Sequence, residues 1–335
     1  MKRFEIAYQK WFDVALSEIR QGRKQSNWMS YIFPQIYGLR TFEPENSYSI
    51  CSKQQAIEFL EHPVLGEKFR DICTELLNLK ENDINKVFNE LDVRKLHSSL
   101  TLFDAIKPND IFKQLLEKYP QDEQYDKNTL CRLTLSNRVQ NALEYIKVDP
   151  KDFNIVPSMY TRPRGEAMHR FSHIYRVMIG TALIAYKIKE PRLGLLAFIS
   201  AYIHDLARIN DGNDPTHGRR AAETILPTLT NLLSNYNISK EEYDIIAKAT
   251  TYHCEPIQER LSMDCFKVCK ILSDADALDR CRFYGDESRL NVDCLRFEES
   301  KLCITPIDFI CKESVRQDKI KKEIPFEEFL KLAEF

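Results

Sequence analysis

A histidine followed directly by an aspartate, His204-Asp205, is the feature of this sequence that most directly predicts chemistry. The pair ends an apolar run, Leu193 to Ile203, which is too short to cross a membrane and is typical of a helix buried in a protein core. Polar side chains in such a place cost free energy unless a partner satisfies them. A hydrogen-bonded core pair is the simplest interpretation, but further imidazoles and carboxylates in the same half of the chain favour a functional one.

Histidines concentrate around this pair, since five of the seven fall between residues 169 and 253. Apolar residues three and four apart predict an amphipathic helix over residues 167–188. His173 and Arg176 share one face of this helix with His169, one turn earlier. His173 is therefore the best upstream candidate for a metal ligand. His169 either orients it, meets a substrate, or is an ordinary core or surface histidine.

Two histidines and an acidic cluster follow the His-Asp pair. His217 begins a predicted helix after a loop rich in asparagine, aspartate and glycine, and His253 lies farther along the chain. The acidic cluster, Asp274, Asp276 and Asp279, comes after an apolar segment. These apolar surroundings argue against a simple solvated helix start.

The order of these residues resembles the HD superfamily of metal-dependent phosphohydrolases. The matching features are a His-x-x-Arg-Val histidine, the His-Asp pair, two spaced histidines and an aspartate in an Ala-Asp-x-Leu setting, within about residues 165–285. By this resemblance, four side chains hold a first metal ion: His173, His204, Asp205 and Asp276. Asp274 is the alternative to Asp276. Asp279 then supports the ligands or caps the helix, with Arg280 or Arg282 as its partner.

This ligand set mixes imidazole nitrogens with carboxylate oxygens. Such a set suits a divalent ion with open water positions (Mn, Ni, Co, Fe, Zn or Mg) rather than a closed structural zinc site. The resemblance implies that His217 and His253 hold a second metal in dinuclear members and contact phosphate in mononuclear ones, and both alternatives stay open. Cys254 is a candidate soft ligand beside His253, although a small core residue is the favoured interpretation.

Arginines near the proposed ligands favour a phosphorylated substrate, because a guanidinium makes paired hydrogen bonds to phosphate oxygens. Four are close in sequence: Arg176, Arg208, Arg219 and Arg220. Together with the resemblance they predict metal-dependent hydrolysis of a phosphoester or phosphoanhydride in a nucleotide or nucleotide-derived small molecule. A water activated by the metal ion is the expected nucleophile. The predicted catalytic residues are Asp205, His217, His253, Arg176 and Arg208.

Two other functions remain open at this stage. Some members of the superfamily share the same five features in order (His, His-Asp, His, His, Asp), hold two irons and act as oxygenases. A nucleotide-sensing module without turnover is the third hypothesis, although the intact ligand set argues against it.

Bulk properties narrow the range of partners and compartments. The net charge of −2 gives no general argument for a nucleic-acid or membrane partner. The first residues lack the apolar core of a signal peptide, and the ten cysteines include no Cys-x-x-Cys motif. We therefore expect a cytoplasmic protein with reduced thiols and a phosphorylated small molecule as its partner. The oligomeric state stays open.

Short blocks in the first half resemble a bacterial domain family of unknown function, sometimes labelled calpastatin-like. They lie at residues 18–29, 33–36, 62–66 and 95–103, and the resemblance covers about residues 1–133. It implies a helical module and supplies no catalytic residue. Eight side chains of these blocks define a possible anion-binding cleft: Arg20, Arg23, Lys24, Ser26, Trp28, Lys95, Ser98 and Ser99. The favoured interpretation is a solvated basic turn, a core tryptophan and helix-capping serines.

The pattern as a whole predicts an all-α protein with two helical domains. Only nine glycines occur among 335 residues, and alternating apolar runs are scarce. A polar stretch at residues 121–128 is the expected boundary region. We predict a helical domain of unknown function over residues 1–133. Residues 134–335 are predicted to form an HD-type helical bundle around a metal site (about residues 135–312), followed by C-terminal helices.

Overall fold

The protein, described by a computed structural model over residues 1–39, 48–160, 171–210, 212–282, 290–316 and 324–335, is all-α in these ranges. They contain seventeen α-helices and no β-strand, apart from an isolated bridge between Ile36 and Ile50. The predicted all-α class is thus confirmed for these ranges. None of the helices in the described ranges is long and apolar enough to span a membrane.

The chain divides into two compact units, which differ slightly from the predicted domains. The first contains residues 1–134 together with 334–335, and the second contains residues 135–333. The last two residues join the first unit because Arg132 Nη2 donates to the carbonyl of Glu334 at 2.9 Å and the guanidinium lies 5.7 Å from the centre of the Phe335 ring.

The first unit has eight helices around a core rich in aromatic side chains. They are α1 (Lys2–Arg20), α2 (Met29–Ile32), α3 (Lys53–Glu61), α4 (Leu65–Asn78), α5 (Ile84–Val87), α6 (Glu90–Ile106), α7 (Ile111–Lys118) and α8 (Lys127–Leu133). Phe69 lies at the centre of this core, with ring contacts to Phe59, Phe103 and Phe112 at 4.8–5.5 Å between centroids. Ser52 caps α3, and its hydroxyl accepts from the amide of Gln55 at 3.1 Å.

The second unit has nine helices. They are α9 (Leu135–Tyr145), α10 (Phe171–Ile188), α11 (Pro191–Ile203), α12 (His217–Thr224), α13 (Thr230–Asn235), α14 (Lys240–Tyr252), α15 (Met263–Leu278), α16 (Ile304–Arg316) and α17 (Phe326–Phe329). Helices α10, α11, α14 and α15 pack against one another, and α12 packs on α14. Helix α11 is buried at every residue from Leu193 to Ile203, as this continuous apolar run predicts.

Small residues let these helices approach closely. A Cβ added at Gly180 of α10 would lie 3.1 Å from the Cβ of Ala275 on α15. Ser200 of α11 lies against α14, and its hydroxyl is 3.4 Å from the carbonyl of Ile246. The helix ends that carry the histidines are thereby brought together.

Candidate metal centre

The His-Asp pair lies directly after α11 and is almost completely buried. His204 is 1% exposed and Asp205 is 3% exposed. The Nδ1–H of His204 donates to the carbonyl of Ala201 at 2.7 Å, one turn back in the same helix. A carbonyl can only accept, so Nδ1 carries the proton and Nε2 presents a lone pair. Asp205 lies beside this nitrogen, with Oδ2 at 3.8 Å from Nε2.

His173 faces the pair from the first turn of α10. Its Nε2 lies 3.2 Å from Nε2 of His204 and 3.3 Å from Oδ2 of Asp205. Oδ1 of Asp276, in the last turn of α15, lies 3.5 Å from the same nitrogen. We call His173, His204 and Asp276, together with Oδ2 of Asp205, the first ligand group.

His217 and His253 form a second ligand group on the other side of Asp205. Their Nε2 atoms lie 2.8 Å apart, and Oδ1 of Asp205 is 2.9 Å from His217 Nε2 and 3.8 Å from His253 Nε2. The Nδ1–H of His217 donates to the carbonyl of Asp214, and that of His253 to the carbonyl of Thr250. Each Asp205 oxygen therefore faces one imidazole pair.

The donor chemistry of this cluster fits divalent cations. In all four rings Nδ1 is held by a carbonyl or, for His173, by the carboxylate of Asp279 at 2.7 Å, so the four Nε2 atoms point inwards. Two nitrogen lone pairs at 3.2 Å or 2.8 Å repel each other unless a proton or a cation lies between them. Each imidazole pair with a shared carboxylate can accept one ion while its remaining positions stay open. Groups suited to a metal ion include His173, His204 and Asp276.

Burial and Asp205 shift the pKa values of the imidazoles in opposite directions. Burial lowers the pKa of His204 to about 3, so this ring is neutral at physiological pH. Burial opposes the charged form of His217 as well, but hydrogen bonding and charge from Asp205 outweigh it and raise its pKa to about 10. The same competition raises the pKa of His253. Without a cation, a proton is therefore held at the second group, and a bound metal ion has to displace it.

The structure separates the two candidate aspartates of α15. Asp274 is fully buried and accepts hydrogen bonds from the backbone amides of Arg296 and Phe297 and from the Ser300 hydroxyl at 2.8–3.0 Å. Both Asp274 oxygens therefore accept hydrogen bonds that hold residues 296–300 against α15. The Asp276 side chain lies at the first ligand group and is 38% exposed. Of the two, Asp276 has the position of a ligand, and solvent reaches the group on its side.

Arg176 lies behind the cluster, which differs from its predicted role as a substrate contact. Its guanidinium is buried and binds the carboxylate of Asp279, while Nη1 donates to Ser314 at 3.1 Å. Asp279 also accepts from Arg282 Nη1 at 3.1 Å, which agrees with the expectation that Arg282 is its partner. Burial raises the pKa of Asp279, but the charges of Arg176 and His173 outweigh it and hold that pKa well below its usual range. Arg176 and Asp279 therefore fix the orientation of His173.

The remaining predicted arginines differ in their distance from the cluster. Arg208 Nη1 lies 3.4 Å from Asp205 Oδ1 and 3.2 Å from His217 Nε2, so this side chain is positioned at the second ligand group. Arg219 forms a surface ion pair with Glu255. Arg220 binds Asp214 and the carbonyl of Ala207. Arg219 and Arg220 are close to the proposed ligands in sequence, but on α12 their side chains bind these other partners. His169 lies outside the described residues.

Two further residues lie at the second group: Gly218, which the sequence analysis missed, and Cys254, which it gave as the less favoured of two interpretations. Gly218 lets α12 approach α14, since a Cβ there would lie 2.2 Å from the Thr250 carbonyl oxygen and 2.8 Å from the His253 ring. The sequence signal for this role is that Gly218 directly follows the candidate ligand His217. Cys254 is only partly buried, unlike the core cysteine favoured from the sequence, and it forms a possible metal-binding group with His217 and His253.

The proposed anion-binding cleft of the first unit is occupied by the protein's own carboxylates. The two segments do meet: Lys24 and Lys95 bind Asp92 at 2.7 Å and 3.1 Å. Trp28 is fully buried and donates to Glu18 at 2.8 Å. The core tryptophan of the favoured interpretation agrees with this geometry. The two lysines of the cleft are therefore committed to structural ion pairs.

Comparison with known proteins bears on the first unit. A family model described as "Protein of unknown function (DUF1810)" matches residues 1–133. Residues 1–133 are a DUF1810 domain. A solved structure, the conserved hypothetical protein Rv1873 from Mycobacterium tuberculosis, is 32% identical over 39% of this chain and 93% of that chain, with a TM-score of 0.37. No curated protein matches the chain. The DUF1810 match ends before the first residue of the histidine and aspartate cluster and assigns no chemistry to that cluster.

Proposed function

We propose that residues 135–333 form a metal-dependent phosphohydrolase centre. The observation that carries this proposal is Asp205, whose two oxygens face two imidazole pairs with inward-pointing nitrogens. The order of His173, His204, Asp205, His217, His253 and Asp276 along the chain resembles the HD superfamily and supports the same reaction class. A divalent ion bound there supplies a Lewis acid and lowers the pKa of a coordinated water.

The chain's own residues divide the remaining tasks. Asp205 would offset part of the charge of bound ions and the imidazoles would donate nitrogen lone pairs to them, while Asp279 with Arg176 keeps His173 in one orientation. We propose that Arg208, whose guanidinium lies at the second ligand group, binds a phosphate oxygen of the substrate. The exposed side of Asp276 gives water and a small molecule access to the cluster. We propose a phosphoester or phosphoanhydride of a nucleotide or nucleotide-derived molecule as the substrate class.

A dinuclear-iron oxygenase is the second candidate, because two imidazole pairs around one carboxylate also suit two irons. Arg208 favours hydrolysis, since a phosphate benefits from a guanidinium and dioxygen does not require one.

The two functions are distinguished by assaying the full chain loaded separately with Mn²⁺, Co²⁺, Ni²⁺, Mg²⁺ or Fe²⁺ against a panel of phosphorylated metabolites. We expect metal-dependent release of phosphate or pyrophosphate, lost in Asp205→Asn. Arg208→Met should retain its metal and lose activity by about 10- to 1000-fold. Oxygen consumption by the iron form, with no release of phosphate from any compound, would support the oxygenase instead.

A further inference from the structure

Cys254 lies at the edge of the second ligand group. It follows His253 directly, just beyond the end of α14, and its side chain is partly buried. Its sulfur lies within 4.8 Å of a ring nitrogen of both His217 and His253. The thiol donates to the carbonyl of Pro215 at 3.2 Å and lies 3.6 Å from that of Thr251. These weak thiol contacts are easily exchanged for a bond to a cation.

A thiolate would change the character of the second group. Without it, the group offers two imidazole nitrogens and one oxygen of Asp205. With it, the donor set becomes two nitrogens, one oxygen and one sulfur, four atoms of the types that tetrahedral zinc binds. Sulfur favours soft and borderline ions over Mg²⁺ and Mn²⁺.

The first ligand group provides an internal contrast. Its donors are His173, His204, Asp276 and Oδ2 of Asp205, and no cysteine belongs to it among the described residues. This nitrogen and oxygen set accepts harder ions such as Mn²⁺ or Fe²⁺. The two groups share Asp205 but differ by one sulfur atom.

We propose that Cys254 is a thiolate ligand of the ion held by His217 and His253, so that the second position selects zinc or another thiophilic divalent ion. The thiol proton leaves to solvent when the metal–sulfur bond forms, and no change of oxidation state is involved. This inference rests on the metal centre of the proposed function. It adds that the two positions differ in metal preference.

Cobalt substitution of the full chain tests the proposal. The chelated protein is titrated with two equivalents of Co²⁺, and its absorption spectrum is compared with those of Cys254→Ser and Cys294→Ser, an exposed cysteine that serves as control. We expect the wild type and the control to show a thiolate-to-cobalt charge-transfer band in the near ultraviolet. Cys254→Ser should lose that band and keep the visible bands of cobalt bound at the first group.

A second readout needs no variant, so it holds even if Cys254→Ser does not fold. Zinc should protect Cys254 of the wild type from alkylation, as followed by mass spectrometry, while Cys294 stays reactive. Three results would each overturn this inference without contradicting the metal centre. They are two bound cobalt ions without a thiolate charge-transfer band, a band that persists in Cys254→Ser, and alkylation of Cys254 in the presence of zinc. A wild type that binds no cobalt would overturn both.

Discussion

Asp205 is the residue on which the proposed chemistry depends most, because its two oxygens serve two imidazole pairs. The sequence identified it, since an adjacent histidine and aspartate at the end of a buried run are unusual. The sequence could not identify the partners of the four Nδ1 atoms, because three of them are backbone carbonyls, which no residue type encodes. It also misplaced Arg176, since a helix face predicts which side chains lie together and not whether they face a substrate or a carboxylate.

Asp279 allows a test of how the first ligand group is oriented. In Asp279→Asn the amide can still contact His173 Nδ1, but the compensating charge for buried Arg176 is lost. We expect metal affinity at the first group to fall by about 10- to 100-fold while the second group keeps its ion. Competition with a chromophoric chelator measures both. Equal loss at the two groups, or no loss, would show that Asp279 does not act through His173.

Glu18 provides a pH-dependent test in the DUF1810 domain. Burial opposes its charged form, but hydrogen bonds from Gln25, Ser26 and Trp28 outweigh this and lower its pKa to about 2. Because the folded pKa lies below the unfolded value of 4.5, the stabilisation is complete above that value and is lost as pH falls towards 2. Glu18→Gln should cost on the order of 2 kcal/mol at pH 7 and progressively less at lower pH.

Urea unfolding followed by tryptophan fluorescence measures this difference, since both tryptophans, Trp11 and Trp28, lie in the first unit. The exposed Glu117→Gln is the matched control, and its stability should follow that of the wild type. If the loss of unfolding free energy in Glu18→Gln stays constant from pH 7 to pH 3, the charge of the Glu18 carboxylate contributes nothing to stability.

At the scale of elements, every proposed ligand lies in the first or last turn of a helix or directly after its end. His173 lies in the first turn of α10, His217 begins α12, and Asp276 lies in the last turn of α15. His204 and His253 directly follow α11 and α14. Apolar periodicity located these helices well, because burying one face is what forms them. It could not give the close approach of α12 to α14 at Gly218, where the glycine backbone lies against Thr250 and His253.

Gly218 makes that approach testable. Gly218→Ala places a methyl group against the Thr250 carbonyl and the His253 ring, so α12 must move away from α14. We expect the second group to lose its ion while the first group retains one. Gly212→Ala is the control, since the nearest atom to its added Cβ lies at an ordinary 3.4 Å. Metal content of the purified variants measures the effect, and two retained ions in Gly218→Ala would contradict the described contact.

At the scale of the whole molecule, the chain joins a DUF1810 domain to a helical unit with a buried cluster of histidines and aspartates that could hold metal ions. The all-α class followed from composition and periodicity. The sequence did not predict that residues 334–335 belong to the first unit. That placement depends on the hydrogen bond between Arg132 and Glu334, which are 202 residues apart in the sequence. We expect a fragment of residues 1–134 to fold alone, since its aromatic core lies within it. A cooperative thermal transition of this fragment checks the prediction, and an aggregated fragment would mean that the core needs the rest of the chain.

Metal stoichiometry tests the central claim most directly. The full chain, purified anaerobically and reloaded with Zn²⁺, Mn²⁺ or Co²⁺, is analysed by inductively coupled plasma mass spectrometry beside Asp205→Ala and the surface control Asp264→Ala. We predict up to two ions in the wild type and control, near zero in Asp205→Ala, and one retained ion in His217→Ala and in His253→Ala. A wild type that stays metal-free after reloading, or an Asp205→Ala protein with undiminished metal content, would contradict the assignment.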